Sequence, residues 1–403
     1  MQADWTPKHP INISAKAFID DKYKYYDWMR REAPVYRGKF GPFRSYLLCR
    51  YEDCDFVLRD PRFIRSRKEN KWRWLMPYGI KLITESMIYQ DGDEHRRLRN
   101  LVQKAFTPKA ITKMHDRIEV ICNELLDEVE ATHDGHFDLV PTYAFPLPVR
   151  VIGELLGIED NDMDSFQKSV DVLLEGLTGI KIVKTLVWDL PKTVSFLKEL
   201  LKKKRATPAD DLLTALIQAE ENGDTLTEDE LLGMMMILII AGYETTVDLI
   251  KCAVVALLTH PEQLQMLKED DSLMDGTIEE VLRYWGPVHG TELIYASEDI
   301  QVGDVTIPKG HIITPLLGAA NRDPDKFEHP EAFDITRTAN RHLGFGKGIH
   351  YCLGAPLARL EAKIALRILF SRFPQLTLTK PLEELTFKQV PLFHRFKEVP
   401  LSY

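Results

Sequence analysis

With 403 residues, 44% of them apolar, and a formal charge of −9, the chain can enclose a large core and has the wrong sign to take nucleic acid as its main partner. Its five cysteines (Cys49, Cys54, Cys122, Cys252, Cys352) are odd in number and scattered, which fits a reducing compartment and no disulfide framework. No linker, charge block or repeat divides residues 1–403, so a single domain is expected, and Met1 to Asp20 lack the apolar run of a signal peptide or membrane anchor.

Tyr25, Trp28 and Met29 recur at helical spacing over residues 22–32, and Ala33-Pro34 should stop that helix. Val35-Tyr36-Arg37 and Tyr46-Leu47-Leu48-Cys49 read as paired short strands, with Gly38 and Gly41-Pro42 both in the turn between them. Residues 62–80 concentrate large side chains (Phe63, Ile64, Trp72, Trp74, Leu75, Met76, Pro77, Tyr78), a density that more often makes core than a ligand site. The run Asp91-Gly92-Asp93-Glu94-His95-Arg96-Arg97-Leu98-Arg99 puts His95 and Arg99 four apart on one helix face. Two donors so placed can reach one carboxylate group.

Residues 113–258 read as mostly helical, broken near Pro141, Pro146, Gly157 and Pro191, and Lys202 to Arg205 reads as a solvated helix end. The longest helix announces itself at Thr227-Glu228-Asp229-Glu230, a capping box with Thr227 as N-cap. Leu231 to Ala241 is apolar almost all round, which implies burial on every side. It is shorter than the ~20 apolar residues of a membrane span and runs straight into Glu244. Glu244, Thr245 and Thr246 end a buried stretch with polar groups, which costs free energy unless they are partnered or working. A Thr hydroxyl bonded to the carbonyl four residues earlier is the local way to satisfy it. Further on, Glu280 and Arg283 form a Glu-x-x-Arg pair.

The most distinctive stretch is Gly344-Phe345-Gly346-Lys347-Gly348-Ile349-His350-Tyr351-Cys352-Leu353-Gly354. A loop this rich in glycine can lie flat against a planar group. Ala355 onward reads as a helix with Pro356 in its first turn and Leu357, Leu360, Ile364 and Ile368 on one face. Cys352 therefore stands at a helix N-terminus, where the macrodipole favours thiolate, the form that ligates metal. The glycines imitate part of a nucleotide-binding fingerprint, but position 349 is Ile and the segment leads to a cysteine, not to a phosphate cradle.

Phe-Gly-x-Gly-x-His-x-Cys-x-Gly followed by Ala-x-x-Glu resembles the haem-binding loop of the cytochrome P450 family, and the resemblance runs from about residue 20 to the C-terminus with four motifs in the family's order. It implies a soluble bacterial-type protein: a mainly α fold with small β-sheets, in which haem b lies between a long central helix and the cysteine-loop helix. It implies Cys352 as the iron ligand, with Phe345, Gly346, His350 and Gly354 around it, and His95 and Arg99 on the haem propionates. Ala241-Gly242-Tyr243-Glu244-Thr245-Thr246 is similar to the family's oxygen-binding kink. By that likeness Gly242 leaves room for dioxygen, Glu244 and Thr245 steer protons, and Tyr243 senses the pocket or packs. Glu280, Arg283 and Arg337 would brace the cysteine loop.

Where related sequences carry a further propionate arginine this chain has Ile294, with His289 as a possible substitute, and Leu392-Phe393-His394 resembles a substrate-contacting turn. The activity implied is insertion of one oxygen atom of O₂ into a C–H bond of a bulky hydrophobic small molecule, as in secondary metabolism. Electrons would come from a ferredoxin or flavodoxin with its reductase, docking on Arg96, Lys104, Lys109 and Lys347, in the cytoplasm. A peroxide-using peroxygenase, a non-catalytic haem sensor and a colourless thiol enzyme are the alternatives.

Overall fold

The computed structural model describes residues 5–66, 76–174, 184–221, 223–291 and 293–403; Trp72, Trp74 and Leu75 of the aromatic segment, and part of 165–190, lie outside them. Helix α1 (Lys22–Glu32) buries Tyr26 and Met29 and ends at Ala33-Pro34. Strands β1 (Val35–Phe40) and β2 (Phe43–Leu48) pair antiparallel, Val35 opposite Leu48. Gly38 lies inside β1 and not in the turn. A Cβ there would sit 2.7 Å from Leu47 Cδ1 and 2.8 Å from the Ile11 carbonyl oxygen, so close approach of two segments is what requires glycine.

After α2 (Tyr51–Arg59), the short β3 (Phe63–Ile64) joins β4 (Ile294–Ala296) and β5 (Ile312–Pro315) in a five-stranded sheet of order β1-β2-β5-β4-β3. Strand β5 runs parallel to β2 and antiparallel to β4. Phe63 stands opposite Ala296 and Ile64 opposite Tyr295, which sets the chain at 63–66 beside Ile294. A buried cluster that includes Tyr46, Leu58, Phe63, Ile294 and Ile313 covers the sheet.

The helical layer comprises α3 (Gly92–Ala105), α4 (Pro108–Thr132), α5 (Pro146–Leu155), α6 (Leu190–Ala206), α7 (Glu228–Thr259), α8 (Met274–Tyr284) and α9 (Ala355–Arg372). Thr107 caps α4 by accepting the Ala110 N–H, with Pro108 in the first turn. Pro146 and Pro191 stand in the first turns of α5 and α6, each directly after a π-helical stretch (Val140–Ala144 and Thr185–Asp189), so the backbone is already helical ahead of them. The basic end of α6 is only partly solvated: Lys203 and Arg205 pair with Glu159 and Glu228 in water, whereas Lys204 is buried against Asp211 at 2.5 Å. Consecutive lysines fan out by about 100° each, so one of them must face inward.

The capping box at the start of α7 closes both ways, Thr227 N–H to Glu230 Oε2 at 2.7 Å and Glu230 N–H to Thr227 Oγ1 at 3.3 Å. The helix packs on α5, α8 and α9, and Leu231 to Ile237 are all buried. Among the described residues it is the one helix long and apolar enough to cross a membrane, but 67% of its apolar window is buried inside the protein, so its hydrophobicity serves the core.

From α8, Glu280 organises the approach to the cysteine loop. Arg283 donates to both of its oxygens at 2.7 and 2.8 Å, Arg337 at 3.2 Å and Asn340 at 3.0 Å, and the Asp334 N–H at 2.9 Å. Arg283 also reaches the carbonyls of Asn321, Pro330 and Ala332. The side chains of Glu280 and Arg283 have no exposed surface, so removing the carboxylate charge leaves a buried cation uncompensated. Glu280→Gln should lower the unfolding free energy by about 3–5 kcal/mol; a loss under about 1 kcal/mol in denaturant titration would show that the brace contributes little.

Candidate active site

The cysteine loop starts from Leu343, whose N–H donates to Asn321 Oδ1 at 2.7 Å. Gly346 and Gly348 both take positive φ, 67° and 69°. At Gly348 no other residue fits, because a Cβ would also lie 2.3 Å from the Leu58 carbonyl oxygen. The loop then folds on itself through Cys352 N–H to Phe345 O at 3.0 Å, and Gly354 becomes the N-cap residue of α9. The Cys352 sulfur accepts the N–H groups of Gly354 and Ala355 and lies in the field of Arg99 and Arg359. Burial pushes the Cys352 thiol above its ordinary range, and the two N–H groups and the arginines partly offset it.

Helix α3 brings His95 and Arg99 to the same place. His95 is buried, and its ring centre lies 4.4 Å from that of His350. Both line a cleft of about 490 Å³, with Arg99, Arg65, Ile294 and Tyr351. Asp91 joins the parts: its Oδ2 accepts the N–H groups of Arg65 at 2.8 Å and Ser66 at 2.7 Å, while Oδ1 is 3.6 Å from His350 Nε2. Burial, then the charges of His350 and Arg99, pull His95 down to about 4, and burial lowers His350 as well.

On α7, Ala241 is exposed although most of the helix before and after it is buried, so this point borders an internal gap. Gly242 beside it is half-buried, and a Cβ on it would meet only Ile152, at 3.2 Å from Cδ1. Tyr243 is buried edge-on to Phe145, ring centres 4.9 Å apart, and packs. Thr245 Oγ1 donates to the Ala241 carbonyl at 2.7 Å and Thr246 Oγ1 to that of Gly242 at 3.0 Å. Glu244 accepts from Arg395 Nη1 at 2.7 Å, a partner that spacing could not reveal across 151 positions.

Residues 5–391 match the Cytochrome P450 family model. The chain belongs to the cytochrome P450 family. It is 41% identical over 396 residues to "Cytochrome P450 107B1" of Saccharopolyspora erythraea, covering 96% of each chain. The solved structure of the Bacillus subtilis 168 bacillaene polyketide synthase cytochrome P450 PksS superposes with a TM-score of 0.91 at 35% identity, over 97% of this chain and 99% of that one. P450BioI in complex with a hexadec-9Z-enoic acid ligated acyl carrier protein gives a TM-score of 0.87 at 35% identity, over 96% of this chain and 100% of that one.

The cofactor of this P450 is haem b, and the residues present suit a flat dicarboxylate that carries iron. A half-buried sulfur stands on a glycine-rich loop, donors from α3 and the loop converge in one polar cleft, and Ala241 opens onto a gap. Ile294 does lie against that cleft, buried on β4. His289 does not replace an arginine there: it is buried elsewhere, its Nδ1 3.2 Å from Tyr26 Oη and its ring stacked on His394 at 5.3 Å. Of the expected docking cations, Lys347 is engaged by Asp55 and the Tyr51 hydroxyl, and Arg96 by Asp93 at 2.8 Å. Asp91 and Arg395 were not legible as site residues, Asp91 because it looked like one more first-turn acid.

The P450 also buries Glu361 on α9, where Oε2 has no hydrogen-bond partner among the described residues and burial pushes the carboxyl well above its ordinary 4.5. Between the unfolded and the folded pKa the native state holds the extra proton, so stability is complete below about pH 4.5 and drains as pH rises toward the folded value. Glu361→Gln removes that drift. Its melting temperature relative to the parent should rise from about pH 5 to about pH 8; parallel curves would show that Glu361 finds a charge partner.

Proposed function

We propose that this cytochrome P450 monooxygenase inserts one oxygen atom of O₂ into a C–H bond of a bulky hydrophobic small molecule of secondary metabolism, in the cytoplasm, with electrons from a ferredoxin or flavodoxin and its reductase. The observations that carry the reading are the Cys352 loop at the start of α9, the His95–Arg99 cleft that this loop helps to line, and the exposed Ala241 ahead of Glu244 and Thr245 on α7. Likeness to PksS supports a polyketide-type substrate, and likeness to P450BioI supports a chain that reaches the site on a carrier protein.

Haem b, when bound, supplies an iron that activates O₂ with two electrons and two protons. Cys352 would hold the iron as its thiolate, and the backbone of Phe345, Gly346 and Gly354 would lie along the porphyrin. His95, His350 and Arg99 would hold the propionates through their N–H groups. The Thr245 hydroxyl donates a hydrogen bond to the Ala241 carbonyl, and its oxygen keeps a lone pair with which to accept another. Glu244, the preceding residue of the helix, would be the acid that supplies protons to this turn. The aliphatic wall of α7 before Ala241 keeps bulk water out.

Cys352→Ala should give a protein without the thiolate-type carbonyl spectrum, and retention of that spectrum would exclude Cys352 as ligand. Thr245→Ala should lower product formation by about 10²-fold while reductant is still consumed; coupling equal to the parent's would remove Thr245 from proton delivery.

A further inference from the structure

The acid side of α7 is wired into the C-terminal segment by one arginine. Arg395 is buried, 5% exposed, and grips two carboxylates one helical turn apart. Its Nη1 donates to Glu244 Oε1 and its Nε to Asp248 Oδ2, each at 2.7 Å. Asp248 pairs through its other oxygen with Lys251 at 2.5 Å, and Lys251 donates to the Phe396 carbonyl at 3.0 Å. Two acids and two bases cancel. The arms of the fork are unequal, because the Asp248 side chain is 1% exposed and that of Glu244 is 28% exposed. The sealed arm anchors the guanidinium; the open arm reaches the turn that carries Thr245. Nη2 is buried with no acceptor among the described residues, so the group is not there to satisfy all its own donors.

Arg395 follows directly on Leu392-Phe393-His394, with its Cζ 4.8 Å from the centre of the Phe393 ring. That turn is held by its neighbours. Leu392 takes φ 63°, its carbonyl accepts the His289 N–H at 2.8 Å, the Phe393 carbonyl accepts Lys22 Nζ at 2.9 Å, and the His394 N–H donates to Pro287 O at 2.9 Å. A guanidinium anchored by Asp248 and stacked on such a turn has little freedom, and a planar fork passes that rigidity to whatever it binds.

We infer that Arg395 is a positioning residue, which fixes the Glu244 carboxylate on the helical turn that carries Thr245 and makes the C-terminal turn part of the support of the oxygen site. The inference rests on the reading of Glu244 as the acid that serves this site. A lysine would keep the charge but could not span both carboxylates with a fixed geometry, so charge and positioning can be separated.

The test is the infrared C–O stretching band of the reduced, carbonyl-bound protein, which reports the polar groups facing the iron without any turnover. Arg395→Gln should shift or split the band as Glu244→Gln does, and the double variant should show no further change. Arg395→Lys, which serves also if the Gln variant does not fold, should shift the band while retaining the cation. Substrate-free peroxide release per NADPH should rise in the same variants. If Glu244→Gln moves the band and neither Arg395 variant does, or if the two effects simply add, Arg395 only staples the C-terminal segment and the inference is overturned. If Glu244→Gln itself leaves the band unchanged, the reading of Glu244 fails, and the inference falls with it.

Discussion

A carboxylate with no exposed surface, Glu280, is the constraint on which the rest of this P450 depends. It collects Arg283 from its own helix with Arg337 and Asn340 from the long chain that leads into the cysteine loop. That chain has little regular structure of its own, so nothing local would place Leu343 to Gly354. Charge-assisted hydrogen bonds in a dry interior are short-ranged and directional, and they convert an irregular segment into a rigid arm. A second tie, Arg359 of α9 on Glu279 of α8 at 2.6 Å, holds the far side of the loop. Between the two ties the loop that carries the sulfur is held in place.

Burial also biases the titratable groups near the site. It pushes the Cys352 thiol and the Glu361 carboxyl up and pulls His95 and His350 down, each shift in the direction of the uncharged form. Charge survives where a buried guanidinium spans two acids, as at Arg395. Desolvation of an unpaired ion costs several kcal/mol and is offset only when donors and acceptors match in geometry. The interior is thus mostly neutral, with a few ionic clamps at the points where segments distant in sequence must meet.

The sequence reading and the structure part company at identifiable places. Gly38 looked like a turn glycine, yet it lies within β1 and makes room for Leu47. A glycine's sequence context shows that a side chain is missing, and only the packing shows which neighbour fills the space. Cys352 stands out in the sequence by its loop, whereas the burial that raises its thiol is not written locally. His289 could not be told from a cleft residue until α1 and the C-terminal turn were seen to enclose it.

What the sequence determined by itself was everything with a short period: the capping box at Thr227, the all-apolar face of α7, His95 and Arg99 four apart on α3, and the glycine–cysteine loop that identified the family. These depend on residues within a turn or two of one another, and helical geometry alone sets their relation. The tertiary structure decided the partners. Arg395 on Glu244, Asp91 under His350 and Asp55 on Lys347 are relations between segments up to hundreds of residues apart, and among the described residues Glu361 Oε2 finds no hydrogen-bond partner. Helical period carries no information across such distances; which charges meet, and which stay neutral, follows from the burial that only the folded chain creates.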